Sequence, residues 1–171
     1  MKKFELTSET KINIFGKKLF RIKALISFAD VEAGETGGWV EKEGNVNQSG
    51  NAWVYGDAMV SGNAKVSDNA KVYGNAEVSG NAEVSDNAEV YGNADYTTIH
   101  GFGTQFRTTT FFRCKDKKVR VACGCFFGTI PEFREQVKNT RKGKIAEEYL
   151  MIADPVSYTH LRAHETDSYL V

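Results

Sequence analysis

Between Gly50 and Thr97 the chain repeats one six-residue phrase eight times without interruption: GNAWVY, GDAMVS, GNAKVS, DNAKVY, GNAEVS, GNAEVS, DNAEVY and GNADYT. Position three is Ala in every unit, and position five is Val in seven of the eight. A helix cannot carry this pattern, because β-branched Val and Gly-Asn pairs recurring every six residues would break it repeatedly. Short strands separated by Gly-Asn turns can, since both turn residues reach positive φ at little cost. Position four runs Trp53, Met59, Lys65, Lys71, Glu77, Glu83, Glu89 and Asp95, and so reads as the water-facing position.

A second beat overlies the first. Position six reads Tyr55, Ser61, Ser67, Tyr73, Ser79, Ser85 and Tyr91, and at position one Asp68 and Asp86 replace Gly. Both changes recur at eighteen residues, or three hexads, which predicts a three-sided coil. Val and Ala would point inward, each stacked on its equivalent at the strand spacing of about 4.8 Å. Lys65 then faces Glu83, and Lys71 faces Glu89. Trp53, Lys71 and Glu89 share a side with Tyr55, Tyr73 and Tyr91, forming an aromatic row on one flank. Such a row serves either as a binding face or as a stack of rings covered by a flanking segment. Asp68 and Asp86 could hold a cation, but are better read as turn residues substituting for Gly.

The hexads resemble those of the hexapeptide-repeat, left-handed parallel β-helix family, in which an aliphatic residue points inward and a small one follows four positions later. Val72 with Ala76, Val78 with Ala82 and Val84 with Ala88 carry the likeness. It implies a mainly β fold: a left-handed parallel β-helix solenoid with an N-terminal β cap and a C-terminal α+β cap. The left hand comes from the resemblance alone, since parallel crossovers otherwise favour the right hand. The expected segments are a cap over residues 1–37, the repeat over 38–97 and an α+β module over 98–155.

The flanks supply the caps. KINIFGKKLFRIKALI reads as a hairpin with Ile12 and Ile14 alternating and Gly16 in the turn. TTTFFRCKDKKVRVACGCFFGT reads as a second hairpin around Lys115 to Lys118, pairing Cys114 with Val119 and Cys123 with Thr110. Thr129 and Glu132 have capping-box spacing, with Pro131 in the first helical turn and Ile130, Phe133 and Val137 as its apolar stripe. Lys142-Gly143 should end that helix, and a second short helix packs through Ile145, Tyr149 and Ile152.

Composition narrows the function classes. The 171 residues carry 22 basic and 22 acidic side chains, so no global field points to nucleic acid or membrane. Residues 50–97 hold 2 basic and 7 acidic groups, whereas residues 98–155 hold 11 and 6. The basic part either balances the acidic repeat or binds phosphate or nucleic acid through Arg107, Arg113, Lys115, Lys117, Lys118 and Arg120, with Phe111 and Phe112 interleaved. MKKFELTSETK lacks a signal-peptide pattern, and no apolar run is long enough for a bilayer, so a cytoplasmic protein without a membrane contact is expected. Cys114, Cys123 and Cys125 then read as reduced thiols. Cys114 and Cys123 fall about 13 Å apart along the sheet, and Cys123 and Cys125, read as a buried pair, supply only two ligands. Neither a metal nor a cofactor is expected.

From Leu19 to Ala153 the order LFRIKALISFADVEAGETGGWVEKEGNV, hexads, then TTTFFRCKDKKVRVACGCFFGTIPEF resembles a family of uncharacterised phage and prophage proteins with a CGCF-x-GT-x-x-EF core. The likeness implies a mobile-element setting in a bacterial host and supplies no activity. Many hexapeptide-repeat proteins are acyltransferases that use acyl-CoA and a histidine base; here only His100, in TTIHGFG, is placed for that role. The repeat itself contains no histidine and no inserted loop. The expected function is therefore binding or scaffolding without turnover, with Trp53, Tyr55, Lys71, Tyr73, Tyr91, Arg113, Lys117 and Lys118 as candidate contacts. The partner would be a protein or a small molecule. Acyl transfer, or inhibition of a host defence factor or capture of a nucleotide signal, are the alternatives, and a homotrimer is compatible with flat sides. Finally, VSYTHLRAHET, Val156 to Thr166, resembles the translation of a sequencing adapter. Residues 156–171 therefore read as an artefact tail, and His160, His164 and Glu165 are set aside as a metal site.

Overall fold

A computed structural model of the protein describes residues 1–158 and divides into two compact units, Met1–Asn93 and the part from Ala94 onward. The first unit opens with an antiparallel hairpin, β1 (Phe4–Ile12) and β2 (Lys18–Ala24). Its turn is fixed by the Asn13 side-chain oxygen, which accepts from the Phe15 and Lys17 N–H groups, and by Gly16 at φ +74°. The hairpin buries Phe4, Leu19, Ile22 and Ala24. Ile12 and Ile14, the alternating pair of the hairpin reading, are 73% and 81% exposed because they lie at the far end of the hairpin, beyond the packed face.

Strand β3 (Thr36–Val40) pairs antiparallel with β2 and parallel with a strand of the repeat, Trp39 opposite Met59 and Val40 opposite Val60. Gly37 and Gly38 permit that junction. A Cβ on Gly37 would lie 2.6 Å from the Trp53 ring, and one on Gly38 would lie 2.7 Å from the Ala58 carbonyl oxygen.

The hexads form two-residue strands: β4 (Trp53–Val54), β5 (Met59–Val60), β6 (Lys65–Val66), β7 (Lys71–Val72), β8 (Glu77–Val78), β9 (Glu83–Val84) and β10 (Glu89–Val90). None pairs with its immediate sequence neighbour; each pairs in parallel with the strand eighteen residues away. Val54, Val72 and Val90 align, as do Val60 with Val78 and Val66 with Val84. Trp53 N–H donates to Ala70 O at 3.0 Å and Tyr55 N–H to Val72 O at 2.8 Å, and the same step recurs from Lys71 to Ala88 and from Tyr73 to Val90. Every aligned Val and every hexad Ala from Ala52 to Ala88 is fully buried, and each such Val contributes roughly 1.5–3 kcal/mol. At the turns, Asp68 and Asp86 have φ of 58° and 57°, standing where neighbouring units use Gly.

This topology corrects the expected fold class. The repeat fixes a pairing register, but the sheets it produces are small and separate, and none runs on as a left-handed β-helix solenoid. Their orders are β1-β2-β3-β5-β8, β4-β7-β10 and β6-β9. The first is mixed, because the N-terminal hairpin joins the repeat edge to edge through β3, where a β-helix would keep its cap outside the coil. The pairing also reaches back to Val40↔Val60 and Val46↔Val66, twenty residues apart, where no hexad is visible.

The second unit is an antiparallel sheet in the order β11 (Tyr96–Phe102), β12 (Arg107–Arg113), β13 (Val119–Cys123) and β14 (Phe126–Thr129), with helices α1 (Ile130–Thr140) and α2 (Gly143–Tyr158). Phe111, Val121, Phe133, Val137, Tyr149, Ile152, Ala153 and Val156 form its core. The Thr129–Glu132 capping box closes in both directions and starts α1. Expected boundaries at residues 37 and 97 fall inside β3 and β11, so the N-terminal strands and the repeat belong to one unit. The boundary at Pro155 likewise falls within α2, which continues through a buried Val156. His160, His164 and Glu165 lie outside the described residues. No helix among the described residues is long and apolar enough to cross a membrane.

Candidate functional site

The eighteen-residue register brings Tyr55, Tyr73 and Tyr91 into one row. Their ring centroids are 4.5 and 4.7 Å apart with interplanar angles of 12° and 8°. The loop around Phe28↔Val31 closes one end: the Tyr55 hydroxyl donates to Asp30 Oδ1 at 3.0 Å, and Lys71 Nζ donates to the same oxygen at 2.5 Å. The Lys71 ammonium also stands 5.7 Å from the Tyr55 ring centroid. At the other end Tyr91 is 52% exposed, and its hydroxyl donates to Glu89 Oε2 at 3.2 Å. The row is thus covered by the Asp30 loop at one end and half-exposed at Tyr91 at the other.

Electrostatics follow this layout. The Lys71 hydrogen bond holds the Asp30 carboxyl below its ordinary value. Burial opposes the Lys71 charge, but the Asp30 hydrogen bond and field outweigh it and raise the lysine. Desolvation, reinforced by Asp30, pushes the Tyr55 hydroxyl far up, and desolvation also raises Tyr73 and Tyr91. At neutral pH the row is an uncharged aromatic stack between fixed ions.

Other expected contacts are placed differently. Trp53 is fully buried, packed edge-on against Phe4 and Phe28, because the N-terminal hairpin and its following loop cover position four of the first hexad. Although Lys71 is opposite Glu89 in register, its ammonium turns to Asp30. Arg113 pairs with Asp95 at 3.6 Å and Arg120 with Asp116 at 2.8 Å, so carboxylates occupy both guanidinium groups. Phe111 and Phe112 are fully buried and have no face to offer a base. Lys115, Lys117 and Lys118 are exposed at the β12–β13 turn, where Lys117 takes φ 62°. Phe111 and Phe112 therefore do not interleave with these exposed lysines, as the phosphate or nucleic-acid alternative supposed.

The hairpin register is Arg113↔Val119 and Thr109↔Cys123, one step from that expected, because the Lys117 turn closes on Cys114 and Lys118. Cys114 and Cys123 are buried, but Cys125 is exposed, so the expected buried pair is corrected. Among the described residues no cluster of three or more His, Cys, Asp or Glu side chains could hold a metal ion. His100 is exposed on β11, with Nδ1 and the Thr108 hydroxyl oxygen 2.9 Å apart.

Asp30 was missed by sequence reasoning. It sits in SFADVEAGE, which carries no period, and only the chain path brings it onto the tyrosine row. No protein-family model matches this chain, and no curated protein matches it in sequence.

Proposed function

We propose that the protein is a non-enzymatic binding protein that docks a cationic segment of a partner protein on the open end of the tyrosine row. The half-exposed Tyr91 ring, with the Glu89 carboxylate at its hydroxyl, carries this reading. An aromatic face beside a carboxylate suits a guanidinium or ammonium group, the pairing that Lys71, Tyr55 and Asp30 already make at the covered end. The net acidity of residues 50–97 favours approach of a basic partner. Stacking on Tyr73 holds the Tyr91 ring in place before binding, which limits the ordering penalty. The resemblance to phage and prophage proteins suggests a host protein as the partner.

A fluorescein-labelled Gly-Arg-Gly-Arg-Gly peptide and its Gly-Glu-Gly-Glu-Gly counterpart provide the test by anisotropy at several salt concentrations. The basic peptide is expected to bind more tightly, and Glu89→Lys and Tyr91→Ala should each weaken it severalfold without changing the circular dichroism spectrum. Equal binding of the two peptides, or binding indifferent to Glu89→Lys, would refute the reading.

A further inference from the structure

The unit from Ala94 onward contains a cleft of about 330 Å³ whose lining includes Arg107, Arg141, Gln136, Phe126 and Tyr149. No Asp, Glu or Lys lines it, so its two guanidinium groups give it a positive character that nothing in the wall cancels. Their freedom is unusual in this protein. Arg21, Arg113, Arg120 and Arg134 each pair with a carboxylate, whereas among the described residues Arg107 and Arg141 form no ion pair. Arg107 bonds the neutral Gln105 side chain, and Arg141 donates to the Thr140 carbonyl at 3.3 Å.

Local structure builds this arrangement. The two-residue turn Gly124-Cys125 joins β13 to β14, with Gly124 at φ +61°, the first central position of a hairpin turn that glycine favours. The absent Gly124 side chain leaves room for Arg107: a Cβ there would stand 2.0 Å from Arg107 Nη1. Arg141 caps the end of α1 through its N–H to Val137 O, which fixes its backbone at the rim. The floor is aromatic, with Phe126 and Phe133 at 5.3 Å and Phe133 edge-on to Tyr149 at 6.1 Å. Burial raises the Tyr149 hydroxyl, with smaller contributions from Cys123 and Glu148, and Arg141 and Arg107 oppose that rise, so both guanidinium charges are felt at this buried ring.

We infer that this cleft binds a small aromatic phosphomonoester of mononucleotide size, its dianionic phosphate held between Arg107 and Arg141 and its ring against Phe126. Guanidinium forks match phosphate oxygens in pairs, and two unopposed charges match a dianion. The volume lies at the small end of the range for ligand clefts, about 300–1,000 Å³, which favours one nucleotide over two. The inference is independent of the tyrosine row, which belongs to the other unit.

Titration calorimetry of the whole protein with adenosine 5′-monophosphate, adenosine and inorganic phosphate tests it. The expected result is saturable one-to-one binding of the monophosphate, at least tenfold weaker binding of inorganic phosphate, and no detectable binding of adenosine at the same concentrations. Arg107→Gln and Arg141→Gln should each weaken monophosphate binding about tenfold or more. Arg141 is exposed, so Arg141→Gln keeps the test decisive should Arg107→Gln unfold. The inference is overturned if the monophosphate fails to bind at millimolar concentration, or if inorganic phosphate binds as well. It also fails if Lys117→Gln/Lys118→Gln weakens binding as much as the arginine variants do, since general surface charge would then account for it.

Discussion

Lys3 supplies a sharp test of the packing in the first unit. Its side chain is only 2% exposed, its ammonium donates to the Ala52 carbonyl at 2.8 Å and to Gly50 O at 3.4 Å, and it lies 4.9 Å from the Phe28 ring centroid. Burial lowers its pKa from 10.5 to about 8. Below pH 8 the lysine is protonated in both folded and unfolded chains, and the full penalty, up to about 3 kcal/mol, weighs on the fold. Between about pH 8 and 10.5 the folded lysine is neutral while the unfolded one still binds a proton, so stability climbs. From pH 7 to pH 9 linkage gives a gain of about 1.3 kcal/mol. The tyrosines set the upper limit of the window. Their folded pKa values are raised, so ionisation in the unfolded chain begins to favour unfolding above about pH 10. Urea unfolding followed by tryptophan fluorescence is the suitable assay, because both tryptophans, Trp39 and Trp53, lie in this unit. Subtracting Lys3→Met measured at the same pH values removes the contributions of thiols and the terminal amine. Wild type should gain about 1.3 kcal/mol relative to Lys3→Met between pH 7 and 9. Equal slopes for the two proteins would show that Lys3 keeps its water in the folded state and would refute the packing described.

Two further outcomes follow from the same unit. Gly38→Ala should lower stability by roughly 1–3 kcal/mol, read as a fall in Tm, because the new Cβ meets the Ala58 carbonyl oxygen at 2.7 Å, and backbone cannot turn aside as a flexible side chain would. Asp30→Asn should move the most resistant tyrosine in an ultraviolet titration toward pH 10, since Asp30 reinforces the rise at Tyr55. It should alter stability at pH 7 by no more than about 1 kcal/mol, because the Asp30 side of the Asp30–Lys71 pair is more than half exposed to solvent. An unchanged tyrosine titration would show that the hydroxyl and Asp30 do not meet.

The repeat made the pairing register legible. Tyr at eighteen-residue intervals can form a row only if Val54, Val72 and Val90 align, and the Asp68 and Asp86 turns mark the same step. How that register is used across the molecule was not legible, because β3 joins the hairpin to the repeat through Gly37-Gly38, and a Gly pair in sequence does not reveal which ring or carbonyl will press against it. Trp53 shows the same limit. Its position in the hexad predicts exposure, yet Phe4 and Phe28, nearly fifty and twenty-five residues upstream, cover it. In the second unit the capping box was readable because Thr129 and Glu132 are local. The Cys123 partner was displaced by one residue because the turn geometry rests on a single φ at Lys117.

The candidate sites share a property that explains why motif reading alone locates them poorly. Each is assembled where an ordered element meets a residue from a segment with no period of its own. Repetition supplies three parallel rings, but Asp30 decides which end is closed and which stays open. In the other unit the CGCF turn is recognisable in sequence, yet its consequence is that the side chain missing at Gly124 admits Arg107 from a different strand. A Gly124→Ala variant would then disturb the cleft in two ways, through its positive φ and through collision with the guanidinium, even though the glycine carries no group that could touch a ligand. Recognition here depends on where charge is left uncancelled, and that balance is struck between segments: Asp95, Asp116 and Asp154 neutralise three of the described arginines of this unit, and the other two described arginines face one cleft.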